Sequence, residues 1–457
     1  MTTIENSRPF AEEFYHEADL RVVQLVPGDA RNILDLDARN GRIAEILKHL
    51  VPSRKIFGVA RTKIPPEAAK RFDRNFILDI ENAPPAIEPQ SIDCIIADDF
   101  FAHSPDPLAA LNALRPLLRW GGHLIASFSN AQHWRFFDSL LHGDLRGRSY
   151  NTHNIPPTSH AHTENLFAVS DIVKLFLDAG YLPRIADRRE ITAPNGWLSA
   201  LAPTIQRMRL APAVFEQRTR TLDYFMDARP IENWPTQTED TPPVSVGVCT
   251  NDPETLRANL LASPCLQSDK HEILTIEGAS SAAEGLNEAI AQARNEIVVL
   301  AHQDVYLPAG WVARVFEQYA RLSATAKATN APIGVMGVYG VSATPDGVRR
   351  LGRVVDRGVL LDESGALPAS ADSLDELALI IPKSSPLQLE PSLGWHLYGT
   401  DICLAAKRAG LQSVVIDAPC YHNTKSGYSV PPEFEESKAV LREKWPEYAF
   451  IPTVCDS

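Results

Sequence analysis

The sequence predicts an α/β protein made of two successive doubly wound domains. Short apolar, β-branched runs alternate with segments whose apolar residues recur at helical spacing, and this series starts afresh in the second half. Between the two series lies a stretch where Pro230, Pro235, Pro242 and Pro243 sit among Thr, Glu and Asp. Such a segment is a poor core element and reads as an extended connection. The predicted organisation is therefore a first domain over 1–228, a linker over 229–243 and a second domain over 244–457. At 457 residues, each half is long enough to bury its own core.

In the first half, Asn32 to Leu36 reads as a strand and Gly41 to Leu50 as an amphipathic helix. Strands are expected at Ile56 to Ala60, Ile92 to Ala97 and Gly122 to Phe128, with a helix at Asp106 to Leu118. Leu198 to Asp227 reads as a helical extension. The second half opens with strand Val244 to Cys249 and a helix from Pro253 to about Ser263. Strand His271 to Ile276, helix Ala282 to Ala293 and strand Ile297 to Ala301 follow. Gly337 to Pro386, rich in Gly, Ser and Pro, reads as irregular apart from an apolar strand at Leu377 to Ile381.

A formal net charge of −13 excludes an extended nucleic-acid-binding face. Six cysteines without a CxxC pair point to reduced thiols, and neither a basic, apolar leader nor an apolar run of membrane-spanning length is visible. The expected setting is cytoplasmic, with a homo-oligomer compatible with the composition.

The most informative residues are His302, Gln303 and Asp304, at the end of the apolar run Ile297 to Ala301. An open α/β sheet holds its ligands at the carboxyl ends of its strands, and an imidazole two positions from a carboxylate suits a divalent cation. The plainer reading is a strand end that hydrogen-bonds its own turn.

Three blocks carry a resemblance that sharpens this. They are "SSAAEGLNEAIAQARNEIVVLAHQDVYLPAGW" (Ser280 to Trp311), "GWHLYGTDICLAAKRAG" (Gly394 to Gly410) and "VVIDAPCYHNTKSG" (Val414 to Gly427). Together they resemble a family 2-type glycosyltransferase with the GT-A fold, of the subgroup whose metal motif is His-Gln-Asp-Val. The resemblance implies Asp304, His302 and His422 as ligands of Mn²⁺ or Mg²⁺, and Asp401 as the catalytic base of an inverting transfer. It implies donor contacts from Thr250, Asn251, Asp252, Glu277, Asn287 and Gln303. The acceptor side would hold Trp395, Tyr398 and Asp375, where Glu376 replaces the family's glycine. For the donor residues, ordinary capping and turn chemistry is an equal alternative.

The first half resembles a class I S-adenosylmethionine-dependent methyltransferase through "ILDLDARNGRIAEIL" (Ile33 to Leu47) and "IDCIIADDFFAHSPDPLAALNALRPLLRWGGHLIASFSN" (Ile92 to Asn130). Its cofactor site would fall at Asp35, Asp37 and Gly41. Asp37 and Arg39 stand where the family has glycines, Ala60-Arg61 where it has a ribose-binding acid, and Ala102 where a Glu usually precedes His103. These departures predict a domain that kept its sheet and lost S-adenosylmethionine. His153, His160 and His162 read as a solvated loop.

The expected function is metal-dependent transfer of a sugar from a nucleotide-sugar donor to a glycan, lipid-linked or small-molecule acceptor, without nucleic acid. A bifunctional methyltransferase and glycosyltransferase, and a non-catalytic nucleotide-sugar or partner-binding scaffold, are the alternatives.

Overall fold

The computed structural model describes residues 20–36, 38, 40–143, 165–208, 210–329, 331–363, 365–425 and 431–455. The chain divides into a unit ending at Glu232 and a unit beginning at Asn233.

The first unit holds one seven-stranded sheet: β1 (Asn32–Asp35), β2 (Lys55–Ala60), β3 (Arg74–Ile77), β4 (Ile92–Ala97), β5 (Leu118–Ser129), β6 (Tyr181–Glu190) and β7 (Thr221–Pro230). Its order is β3-β2-β1-β4-β5-β7-β6, with β1 to β5 parallel and β7 antiparallel to both neighbours. The order 3-2-1-4-5 is that of a doubly wound dinucleotide-type sheet, whose crevice opens where the order reverses, between β1 and β4. Successive residues face opposite layers, as a period of two requires. Leu34, Ile95 and Leu124 pack toward helices Pro107–Leu114 and Val169–Asp178, while Ile33, Cys94, Ile96 and Ile125 pack toward helix Arg42–Leu50.

The expected helical extension over Leu198 to Asp227 is corrected. Helices Trp197–Arg207 and Pro212–Arg220 give way to β7 at Thr221. The segment Leu222-Asp223-Tyr224-Phe225-Met226 is β-prone and buried on both faces, so pairing between two strands outweighs any helical pattern.

The second unit has a mixed sheet and a smaller one. The remaining strands are β8 (Val244–Thr250), β9 (Glu272–Glu277), β10 (Ile297–Ala301), β11 (Val305–Tyr306), β12 (Ile333–Gly337), β13 (Tyr339–Thr344), β14 (Gly347–Asp356), β15 (Val359–Asp362), β16 (Ala369–Ser370), β17 (Ser373–Leu374), β18 (Ala378–Pro382), β19 (Gln412–Val415) and β20 (Tyr421–His422). The large sheet runs β16-β19-β12-β18-β10-β8-β9, with β18 antiparallel to β10 and β12. The small sheet runs β11-β20-β14-β13-β17, and β15 pairs with β14.

Gly337 to Pro386 is thus largely strand, not irregular. Its charged outer positions hide the alternation, since β14 reads Gly-Val-Arg-Arg-Leu-Gly-Arg-Val-Val-Asp and its charged residues are not all on one face. Arg357 and Gly358, both with positive φ (53° and 88°), make the two-residue turn that joins β14 to β15. That is the turn whose twist matches a hairpin.

A candidate metal centre

β10 is apolar throughout and buried throughout, as a central strand covered on both faces must be. At its end the His302 N–H donates to the Leu377 carbonyl at 3.0 Å, and the Val305 N–H donates back to the His302 carbonyl at 3.2 Å. The turn leaves His302, Gln303 and Asp304 at the carboxyl end of β10, beside parallel β8. β11 then enters the small sheet, where the register sets Val305 opposite His422 and Asp356 opposite His422 on its other side. Residues far apart in the chain therefore meet because two short ladders fix them in one row.

The result is a chain of charge. Asp356 Oδ1 lies 2.9 Å from His422 Nδ1, and His422 Nε2 lies 3.3 Å from Asp304 Oδ1. Ligand atoms of His302, Asp304 and His422 all fall within 4.8 Å of one another. Burial works against charge on His422, yet its bonds to Asp304 and Asp356 push it up to about 10. Burial likewise works to raise the Asp304 carboxyl, but His422, His302 and the Thr424 hydroxyl hold it well below the usual carboxylate range. Burial lowers the basicity of His302, against the pull of Asp304. Two imidazoles and one carboxylate form a donor set for a borderline divalent cation. A ligating imidazole normally has its second nitrogen held by a carboxylate, and Asp356 does this for His422. These residues fit the cation that the sequence resemblance implied.

Gln303 links this centre to the end of β8. Its Oε1 accepts from Thr250 Oγ1 at 2.7 Å and from the Asp252 N–H at 3.1 Å, while its Nε2 donates to Asn251 Oδ1 at 2.9 Å. Asp252 caps helix Pro253–Ala258 through Thr255 and pairs with Lys425 Nζ at 3.3 Å. The Thr255 hydroxyl and N–H, with Lys425, hold its carboxyl at about 2. Glu277 ends β9 in register with Thr250. Thr250, Asn251, Asp252 and Gln303 are thus brought together, with an exposed glutamate at the adjoining strand end.

The other expected site residues lie in different surroundings. Asp401 is fully buried in helix Tyr398–Arg408, with Trp445 Nε1 on one oxygen at 2.7 Å and Lys444 Nζ on the other at 3.0 Å. With both oxygens bonded and shielded from solvent, Asp401 anchors its helix in this arrangement. Asn287 is occupied at both ends of its amide by the backbone of Leu389, at 2.7 and 2.9 Å, and ties helix Ala282–Gln292 in place. The Tyr398 ring is buried and its hydroxyl meets His302 Nε2 at 3.1 Å. Trp395 is exposed, and Asp375 Oδ1 accepts from the Leu377 N–H at 3.0 Å.

Sequence reasoning missed Asp356, Glu376 and Lys425. Nothing local links Asp356 to His422, which lies 66 residues away. Glu376 accepts from the Gly399 N–H at 3.2 Å, and burial pushes its carboxyl up to about 8. Gly399 permits this approach, because a Cβ there would lie 2.3 Å from the Leu374 carbonyl oxygen. The signal for Glu376 was present: an acid where the family carries glycine.

In the first unit, Asp35 is buried at the end of β1 and Gly41, with φ of 64°, opens helix Arg42–Leu50. Arg61, after β2, donates to Asp79 at 2.9 Å and also bonds Glu81. Asp37, Arg39, His153, His160 and His162 lie outside the described residues.

No protein-family model matches the chain, and no curated protein matches it. Solved structures resemble about half of it, the N-terminal region. One is an S-adenosylmethionine-dependent methyltransferase of Thermotoga maritima, a possible histamine N-methyltransferase, with 14% identity and TM-score 0.31 over 48% of this chain and 91% of that one. Another is the 1,6-didemethyltoxoflavin-N1-methyltransferase of Burkholderia thailandensis with bound S-adenosylhomocysteine, with 15% identity and TM-score 0.30 over 49% and 86%. A third is an O-methyltransferase from a trans-AT polyketide synthase multienzyme of Brevibacillus brevis, also with S-adenosylhomocysteine, at 12% identity and TM-score 0.31 over 50% and 77%. The expectation that S-adenosylmethionine is unlikely is corrected by these structures, two of which hold its demethylated form.

Among the described residues, no helix is long and apolar enough to cross a membrane.

Proposed function

We propose that the chain is a two-activity transferase: the second unit moves a sugar from a nucleotide-diphosphate donor, and the first takes S-adenosylmethionine. The observation that carries the first activity is the Asp356–His422–Asp304 chain, with His302 beside it, at the carboxyl end of β10. A diphosphate leaving a sugar gathers negative charge, which a divalent cation held there would neutralise. His302, Asp304 and His422 would hold that cation, and Asp356 would fix the ring of His422. Thr250, Asn251 and Asp252, braced by Gln303, would hold the nucleoside, with Glu277 at their edge. Lys425 adds positive charge on the phosphate side. Asp375, half-buried beside this strand end, takes the role of acceptor-side base in place of the buried Asp401. A direct displacement by the activated hydroxyl would invert the anomeric carbon. The acceptor is a glycan, a lipid-linked glycan or a small hydroxylated molecule.

What supports the second activity is local. Asp35 and Gly41 lie at the β1 edge of the crevice between β1 and β4, where this sheet order opens toward a cofactor. Both units would then modify one acceptor.

A thermal-shift series tests both halves, since a ligand that binds only the folded chain raises its melting temperature. Nucleoside diphosphates should stabilise the protein with Mn²⁺ and much less without it, and S-adenosylhomocysteine should stabilise it in either case. A nucleotide shift indifferent to Mn²⁺ would remove the cation-dependent mechanism. No shift with any nucleotide would favour a scaffold, and none with S-adenosylhomocysteine would remove the second activity.

A further inference from the structure

We infer that Tyr398 is a positioning residue that makes His302 a ligand through Nδ1. This assignment rests on the cation site proposed above and names which atom of His302 serves it.

A neutral imidazole has one N–H and one bare nitrogen, and which is which follows from the hydrogen bond that the other nitrogen makes. His302 Nε2 is 3.1 Å from the Tyr398 hydroxyl. With Nε2–H donating to the phenol oxygen, Nδ1 is bare and can bind a cation. With the phenol donating to Nε2, Nδ1 carries the hydrogen and can only donate to Asp304 or a phosphate.

The surroundings favour the first arrangement. The carboxylate of Asp304 is bonded by His422 Nε2 and by Thr424, and the hydrogen bond made by His302 goes to Tyr398 instead. His422 follows the same pattern with its nitrogens exchanged: Nδ1 is held by Asp356 and Nε2 points at Asp304. Each ring is thereby held at one nitrogen, which leaves the other as its candidate ligand atom, and the ring centroids lie 5.8 Å apart.

Tyr398 is itself rigidly placed. It is the first residue of helix Tyr398–Arg408, reached through Leu397 at φ of 64°. Glu376 bonds the Gly399 N–H, and Gly399 presses on the Leu374 carbonyl, so the start of the helix cannot slide. The ring is buried, and the phenol therefore keeps one orientation. A polar partner fixed in this way sets ligand orientation, and losing such a partner typically costs a metal site roughly tenfold to a hundredfold in affinity.

The test uses the full chain and Mn²⁺ alone. Mn²⁺ affinity should fall by roughly tenfold or more in Tyr398→Phe, with the fold retained by circular dichroism. In wild-type protein with ¹⁵N-labelled histidine, adding diamagnetic Zn²⁺ should shift the His302 Nδ1 resonance and leave Nε2 protonated. Equal Mn²⁺ affinity in Tyr398→Phe, or a Zn²⁺ shift at Nε2, overturns the assignment. If Tyr398→Phe does not fold, the nitrogen spectra of the wild type decide alone. If the wild type binds neither cation, the cation site itself fails, an outcome distinct from cation binding that ignores Tyr398.

Discussion

At the scale of single residues, burial decides which acids and imidazoles can do chemistry. Asp304 and His422 are held in opposite charge states by one another, whereas Asp401 has both oxygens occupied. His133 shows the same principle in the first unit. Its ring is 2% exposed at the head of helix Trp134–His142, and burial, helped by Arg135, pushes its pKa down from 6.5 to about 4. Between those values the unfolded chain binds the proton and the folded chain does not. The neutral ring therefore contributes stability above about 6.5 that is lost as pH falls toward 4, on the order of 3 kcal/mol. Urea unfolding of wild type and His133→Asn checks this. The difference between them at pH 7 should shrink or reverse at pH 4.5, and a constant difference would exclude it.

At the scale of elements, two anchors set the geometry around the site. Arg314, in helix Trp311–Thr329, bonds Asp417 at 2.8 Å, and Trp311 Nε1 reaches the Ala418 carbonyl at 2.9 Å. These fix the segment that leads into β20 and His422. Asp401, through Lys444 and Trp445, fixes helix Tyr398–Arg408 against helix Glu433–Lys444. Asp401→Ala leaves the buried Trp445 Nε1 without its acceptor, while Lys444 keeps Glu390 at 2.9 Å, and should cost about 1–3 kcal/mol. Chemical denaturation should show that loss, while Mn²⁺ affinity of the folded protein falls far less than in Asp304→Ala. Unchanged stability with lost turnover would instead return Asp401 to the role of base. The long buried strands and the amphipathic helices were legible because their periodicity is local. β7 was not, since the same apolar residues satisfy a helical pattern and only pairing with β5 and β6 selects the strand. His302, Asp304 and His422 were legible from motif and order, and the structure brings them within ligand distance. Asp356 was not, because a hydrogen bond across two ladders leaves no mark on the residues beside it.

At the scale of the whole molecule, the chain joins two α/β units that share an architecture and differ in sheet logic. The first is parallel with an antiparallel pair at one edge, and its crevice lies at a reversal of strand order. The second inserts antiparallel β18 between β10 and β12 and adds a small sheet that carries half of the candidate cation centre. The parallel strands present Thr250 and Glu277, the small sheet presents Asp356 and His422, and the β10–β11 turn carries His302, Gln303 and Asp304 between them. The candidate cation residues His302, Asp304 and His422 all lie in the second unit, so each proposed activity has its own ligand test.

The central claim is that His302, Asp304 and His422 form a cation centre on which nucleotide binding depends. Calorimetric titration of Mn²⁺ into wild type and Asp304→Ala, each with and without a nucleoside diphosphate, tests it most directly. One cation per chain is expected in the wild type, bound tighter with the nucleotide present, with no measurable binding in Asp304→Ala. Equal Mn²⁺ binding in the two proteins, or none in either, would contradict it.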